Sequence, residues 1–345
     1  MKKVSIKDIA QKAGVSNATV SLVMNDKNKN GRVSREKAEE IKRIAKEMNY
    51  QPNVVARSLQ SGRSHTIGLL VADISNPFFA SLAFFIQERS EKAGYAVIIM
   101  NTNESDTQME KMINILKNRQ VDGYVIVPTK RGERSLQELL DVNAPLVLVD
   151  RYYPSLQTYN VMLDGYQASF QAAKLLMDKG CRKIGLVVYG GTQSHMSDRR
   201  YGYVDALRSA DLYRPELVCE VNFSSLEEDM SEAISYLLDQ GVDGIYFVTI
   251  SISLLGIRYL FERGVKIEED VQVVCFDKSE VFDYMPKPIP YVLQPIEAMG
   301  NKAVDLLLAQ MESDERVPQS CKLPATLVCR KLLSPQSTPL APGRK

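Results

Sequence analysis

From residue 66 onward the chain alternates two patterns. Apolar runs of four to eight residues ("TIGLLVA", "YAVIIM", "GYVIVP", "PLVLVD", "KIGLVVY", "LVCEVNF", "GIYFVT", "VQVVCF") are separated by amphipathic stretches of about 12 to 16 residues. Runs without a polar face read as strands buried on both sides, and the stretches between them as crossover helices. The body is therefore predicted to be α/β with parallel sheets and right-handed connections. Before residue 66 the pattern is different. Ile6, Ile9, Ala10 and Ala13 recur at helical spacing behind Ser5, a cap with Asp8 three residues on. Gly14 ends that helix, because a left-handed turn costs glycine nothing. Ser16 caps a second helix that turns Val20, Val23 and Met24 inward, and a third starts near Ser34 and buries Ile41, Ile44, Ala45 and Met48. Two short helices joined by a tight glycine turn, with a third packed on them, predict a helix-turn-helix.

Charge sharpens the division. The 345 residues carry a net charge of +1. Residues 1–64, however, hold 14 Lys and Arg against six acids, a net +8, and the remainder holds 29 against 36, a net −7. A basic head on an acidic body points to a polyanion that meets the head alone. In a helix-turn-helix the N-terminal part of the second helix meets base edges in the major groove. Here it presents Asn17, Ala18, Ser21, Leu22 and Asn25. Asn pairs with adenine, and Ala and Leu touch a thymine methyl. Ser5, Ser16 and Thr19 are candidates for phosphate contacts. After Pro52, residues 53–59 are long enough for two helical turns, too few for a stable isolated helix. Leu59 on that segment is either a wedge for the minor groove or packing against the body. Lys27 and Lys29, in the loop "NDKNKNGR", are either phosphate contacts or solvated charge.

In parallel α/β sheets ligands sit at the carboxyl ends of the strands. Polar residues gather at those ends: Asp73, Ser75 and Asn76; Asn101 and Asn103; Asp150 and Arg151; His195 and Arg199; Ser251; Asp277. With the aromatics Phe78, Phe223 and Phe282 they suit a polyhydroxylated ligand such as a sugar, and Arg199 equally suits a phosphate or carboxylate. Enzyme signatures are missing: no G-x-G-x-x-G after a strand, no Walker loop and no G-x-S-x-G. Five cysteines without a C-x-x-C read as buried reduced thiols, so no metal and no cofactor is expected. No run approaches 18 apolar residues and the start lacks a signal peptide, so a cytoplasmic protein that keeps off membranes is expected. The end, "LLSPQSTPLAPGRK", is rich in Pro and Ser; a disordered tail over 332–345 is expected, without a tetramerising heptad repeat.

The stretch "IKDIAQKAGVSNATVSLVMN…VSREKAEEIKRIAKEMNYQPNVVARSLQSGRSHTIGLLVADISNPFF" resembles the LacI/GalR family of bacterial transcription regulators, and the likeness continues to about Arg330. It implies a helix-turn-helix over 1–50, a hinge helix and linker over 51–64, and a two-lobed, periplasmic-binding-protein-like effector and dimerisation domain over 65–331. Lobe one is placed at about 65–161 and 292–320, lobe two at about 162–291 and 321–331. The resemblance implies a homodimeric repressor of double-stranded operator DNA whose affinity is set by a small effector, a sugar or related metabolite, or alternatively a purine-type corepressor. The operator-contacting set it implies is Ser5, Ser16, Asn17, Ala18, Thr19, Ser21, Leu22, Asn25, Arg32, Ser34, Asn53, Ala56, Arg57 and Leu59. The candidate effector set is Asn76, Phe78, Asp150, His195, Arg199, Phe223, Ser251 and Asp277; of these, Asp150, His195, Arg199, Phe223 and Asp277 match effector-binding positions of the family, and the other three come from the strand-end reading. Departures are visible. Leu22 stands where the family usually has Arg, Ile250 and Ser251 replace a common Asn-Asp, and Gly165 follows Asp164 where Asn is usual. Phe84 and Phe85 give the first body helix more aromatic surface than one buried stripe needs, as core or as a partner face.

Overall fold

The computed structural model describes residues 4–24, 32–50, 62–191, 193–313 and 317–329. The chain divides into two units, Met1–Ser64 and His65–Lys345. In the first, α1 (Ile6–Ala13), α2 (Asn17–Met24) and α3 (Arg35–Glu47) enclose a small core of Ile9, Ala10, Ala13, Val20, Val23, Ile41, Ile44 and Ala45. Ser5 and Asp8 form a reciprocal capping box, and Gly14 ends α1 at φ 67°, ψ 35°. The chain turns there because the Val15 amide donates to the Ala10 carbonyl at 3.0 Å. Ser34 caps α3 through the Lys37 amide.

The second unit holds two six-stranded sheets. Lobe one contains β1 (Thr66–Val71), β2 (Ala96–Asn101), β3 (Gly123–Ile126), β4 (Leu146–Val149), β5 (Tyr159–Leu163) and β11 (Ser320–Leu323). They lie in the order β11-β5-β4-β3-β1-β2, all parallel. One face of this sheet is covered by α4 (Pro77–Lys92) and α12 (Ile296–Glu312), the other by α5 (Asp106–Asn118) and α6 (Glu133–Asp141). Lobe two contains β6 (Ile184–Tyr189), β7 (Val218–Val221), β8 (Gly244–Phe247), β9 (Gln272–Phe276), β10 (Tyr291–Leu293) and β12 (Thr326–Val328). Their order is β12-β10-β9-β8-β6-β7, parallel except that β12 runs against β10. The helices α7 (Gly165–Asp178), α8 (Ser194–Arg208), α9 (Leu226–Asp239), α10 (Ile250–Glu262) and the short α11 (Glu280–Tyr284) accompany this sheet. β3, β4 and β8 are buried along their whole length, as unbroken apolar runs with helices on both faces require.

Three details differ from expectation. The strands place the lobe changes a few residues later than 161, 291 and 320: β5 stays in the first sheet to Leu163, β10 in the second to Leu293, and β11 in the first to Leu323. These crossing strands are three to five residues long, so their apolar pattern is too brief to mark their ends. Of the free cysteines, Cys181 and Cys275 are buried, Cys219 and Cys321 are half-buried and Cys329 is exposed. Phe282 does not reach the strand ends; the single turn of α11 folds it into the lobe-two core beside Tyr291. No described helix is long and apolar enough to cross a membrane. Residues 332–345 and nearly all of 51–64 lie outside the described residues.

Candidate operator surface and effector cavity

In the head, Ser5, Ser16 and Ser34 each stand at the start of a helix, where backbone amides point outward. Ser16 Oγ accepts from the Thr19 amide at 3.1 Å and shares a hydrogen bond with Thr19 Oγ1 at 2.9 Å. The two side chains therefore hold each other at the entrance to α2. Asn17 and Ala18 are exposed on its first turn, and Arg32 is exposed before α3. Ser21 and Leu22 are half-buried rather than fully presented, because each sits one residue, about 100° around the helix, from the buried Val20 or Val23. Asn25, Asn53, Ala56, Arg57 and Leu59 lie outside the described residues.

In the body, a cavity of about 410 Å³ opens between the two lobes at the carboxyl ends of their strands. All eight residues expected there line it: Asn76, Phe78 and Asp150 from lobe one, and His195, Arg199, Phe223, Ser251 and Asp277 from lobe two. Asn76 caps α4 by accepting from the Phe78 amide at 3.0 Å, which sets both side chains at the rim. Asp150 follows β4 at φ 69° and Asp277 follows β9 at φ 67°. Asp is one of the few residues that tolerate this left-handed conformation. Both carboxyls are buried, and burial pushes both pKa values above the usual carboxylate range despite the lowering effect of nearby arginines.

Both arginines already have protein partners, Arg151 more completely than Arg199. Arg151 grips Glu104 through two bonds of 2.7 and 2.6 Å, and its Nε lies 3.4 Å from Asp150. Arg199 is buried, donates to the Val248 carbonyl at 2.7 Å, and stacks its guanidinium 3.8 Å from the centre of the Phe276 ring. Its Nε is sealed from solvent without a hydrogen-bond partner. His195 Nδ1 is likewise sealed and unpartnered. Burial, then the charges of Arg151 and Arg199, hold the His195 pKa well below its usual value, so the ring is neutral at pH 7.

The cavity also contains residues that strand-end reasoning missed. Glu104 sits in a turn at φ 56°, three residues past β2. Gln294 follows β10 and donates from Nε2 to Asp277 Oδ1 at 2.6 Å. Tyr189 forms an aromatic pair with Phe223 at 6.4 Å. Burial pushes its hydroxyl up to about 12, while Ser251 and Thr249 hydrogen-bond to it.

The family model for the sugar-binding domain of the LacI family and periplasmic binding proteins matches residues 64–331, and that for bacterial regulatory proteins of the lacI family matches residues 5–53. The chain belongs to the LacI family. The transcriptional regulator DegA of Bacillus subtilis (strain 168) is 29% identical over 340 residues, spanning 97% of this chain and 100% of DegA. The ribose operon repressor of Haemophilus influenzae is 30% identical over 331 residues, 95% of this chain and 98% of the relative. The Lac repressor dimer bound to operator and an anti-inducer has the same fold, with a TM-score of 0.84 at 21% identity over 96% of this chain and 99% of that one. As a LacI-family member the chain is a DNA-binding regulator of transcription and not an enzyme.

Proposed function

We propose that this LacI-family chain is a cytoplasmic, homodimeric repressor released from its operator by a neutral polyhydroxylated effector, a sugar or sugar derivative, bound between its lobes. Two heads read half-sites of a palindrome through Asn17, Ala18 and Leu22, with Ser5, Ser16, Thr19 and Ser34 on phosphates. The segment 51–64 bends the centre with Leu59. Effector binding changes the angle between lobes and thereby the spacing of the paired hinges, a two-state element biased by differential affinity.

One observation carries the choice of effector. The cavity holds two buried carboxylates, Asp150 and Asp277, while its two buried arginines are already engaged by protein groups. Carboxylates accept hydrogen bonds and give none, so their natural complement is a ligand rich in hydroxyl donors. An anion would meet two buried carboxylates at close range, with Arg151 clamped on Glu104 rather than turned toward it. The rings of Phe78 and Phe223 offer faces for the apolar side of a sugar ring. Leu22, in place of the usual Arg, supports an operator read without the guanine contact that an Arg at this position would make.

The test is operator binding by the purified protein at fixed salt, with a panel of neutral sugars, sugar phosphates and purines. A neutral sugar that lowers operator affinity is the expected result. A purine or phosphorylated ligand that raises it, with neutral sugars inert, overturns the inducer reading and makes the protein corepressor-controlled.

A further inference from the structure

Beyond the effector cavity the cleft continues. A second cavity of about 440 Å³ lies between the same two lobes, walled by the segments after β3 and β4 on one side and by the first turns of α8 on the other. Both chambers fall in the size range of small-molecule sites, ~300–1,000 Å³. Lys130, Arg151 and Gln193 line both, so they form the partition between them. They are not held alike. Arg151 is buried and clamped on Glu104. Lys130 is an exposed lobe-one residue whose ammonium reaches the Gly190–Gly191 turn of lobe two; a Cβ added at Gly191 would lie 3.1 Å from Nζ. Gln193 precedes α8 and makes no side-chain cap to it. Of the three, Lys130 and Gln193 are long, rotatable side chains, while Arg151 is held in place by Glu104.

The far chamber is lined differently from the near one. It brings together Tyr152, Tyr153 and Tyr201, with Ser197, Asp198 and Glu133 between them. Tyr201 is 61% exposed, an unusual amount of open aromatic surface for a cleft wall. The Tyr153 hydroxyl is used by the protein, donating to the Thr129 carbonyl and accepting from the Gly132 amide, which fixes its ring. Lys130 and Arg151 balance Glu133 and Asp198, so the chamber carries no net charge to attract an ion. Aromatic rings interleaved with hydroxyls and carboxylates are chemistry that takes a sugar ring: its C–H face on the aromatics, its hydroxyls on the acceptors.

We propose that this second chamber is a subsite for the second ring of a glycoside effector. One ring occupies the near cavity, and the next passes between Lys130 and Gln193 to lie against Tyr152 and Tyr201. The inference rests on the sugar-effector reading above and specifies it. The subsite lies beside the Lys322–Asp198 ion pair, 3.9 Å long, which joins β11 of lobe one to α8 of lobe two. A ligand spanning both chambers thus grips both lobes next to a crossing strand, and its second ring contributes directly to the lobe angle.

The experiment is calorimetric titration of the full chain with glucose, galactose and fructose and with maltose, cellobiose, lactose and sucrose. The expected result is a disaccharide that binds at least about tenfold more tightly than its component sugars. Tyr201→Ala then removes most of that advantage while leaving the monosaccharide constants unchanged. Ser197→Trp, which fills the chamber, removes it from the opposite direction. Monosaccharide binding with no disaccharide gain, or a gain indifferent to both variants, overturns the subsite and leaves the sugar reading standing. No binding by any sugar overturns both.

Discussion

The two lobes are near-copies, and the effector cavity is built from what they do differently at matching places. β2-β1-β3-β4-β5 in lobe one corresponds to β7-β6-β8-β9-β10 in lobe two. Asp150 and Asp277 occupy the same point in each. Each follows the fourth strand of its lobe at a φ near +68°, and each donates its amide at 2.9 Å to a crossing strand, Asp150 to the Val161 carbonyl and Asp277 to that of Val292. The residues that follow part ways. Arg151 folds inward onto Glu104, while Lys278 stays exposed. Asp150 thus has a cation of its own lobe beside it, and Asp277 has the amide of Gln294. Arg199, buried, faces both. Duplicated backbone supplies two acceptors aimed at one space; unlike neighbours decide how tightly each is already bound and how much hydrogen bonding is left for a ligand.

Removing the group that both aspartates share should have the largest effect. Arg199→Ala leaves two buried carboxylates with less compensation and empties the space over Phe276. Truncating one member of a buried charge cluster costs about 2–5 kcal/mol, so effector affinity should fall by 30-fold or more. Operator affinity without effector should stay intact. Titration of operator release with the effector checks both, and an unchanged effector response would remove Arg199 from the site.

The next pair separates the twins. Asp150, Glu104 and Asp277 outnumber Arg151 and Arg199 by one negative charge. Asp277→Asn keeps the Oδ1 acceptor for Gln294 while removing the excess charge. It should lower effector affinity about tenfold and raise the unfolding free energy of the unliganded protein by about 1 kcal/mol. Asp150→Asn takes an ion partner from Arg151 and should lower both affinity and stability. Denaturant unfolding beside calorimetry measures the contrast; equal stability changes in the two variants would mean that the twins are equivalent after all.

This symmetry was open to view in the sequence. "IGLLV" (67–71) and "IGLVV" (184–188) start matching strands, and "VDGYVIV" (121–127) and "VDGIYFV" (242–248) form the matching third strands. In each copy the Asp amide bonds back to the start of the first strand, Asp122 to Thr66 and Asp243 to Lys183. Strand-end reasoning found the eight cavity residues because long apolar runs announce where they stop. It missed Gln294 because β10 is three residues long, and Glu104 because a left-handed turn rather than a strand end aims it inward. Lys130 and Gln193 line the same two cavities only because the lobes face each other, which no local pattern encodes. Phe282 misled for the opposite reason: an aromatic just past a strand end looks exposed until one turn of α11 carries it into the core.

The smallest expected effect is the dependence on pH, and it again tells the twins apart. Burial raises the pKa of both carboxyls in the folded, unliganded protein. A raised carboxyl favours the protonated folded state, so the stability these groups contribute is greatest at low pH. It is lost as pH climbs from the ordinary carboxylate range through the raised values. Hydroxyl donors of the effector need the ionised forms, so effector affinity runs the other way. It should decline as pH falls toward the raised carboxyl range, by about two- to threefold as the carboxyls begin to take up protons. His195, held neutral by burial and two arginines, adds no step near neutrality. In Asp277→Asn one of the two protons disappears from the profile, and the decline should become shallower by the share that Asp277 carries. A slope identical to that of the wild-type protein would assign the whole dependence to Asp150 and its ion-paired surroundings.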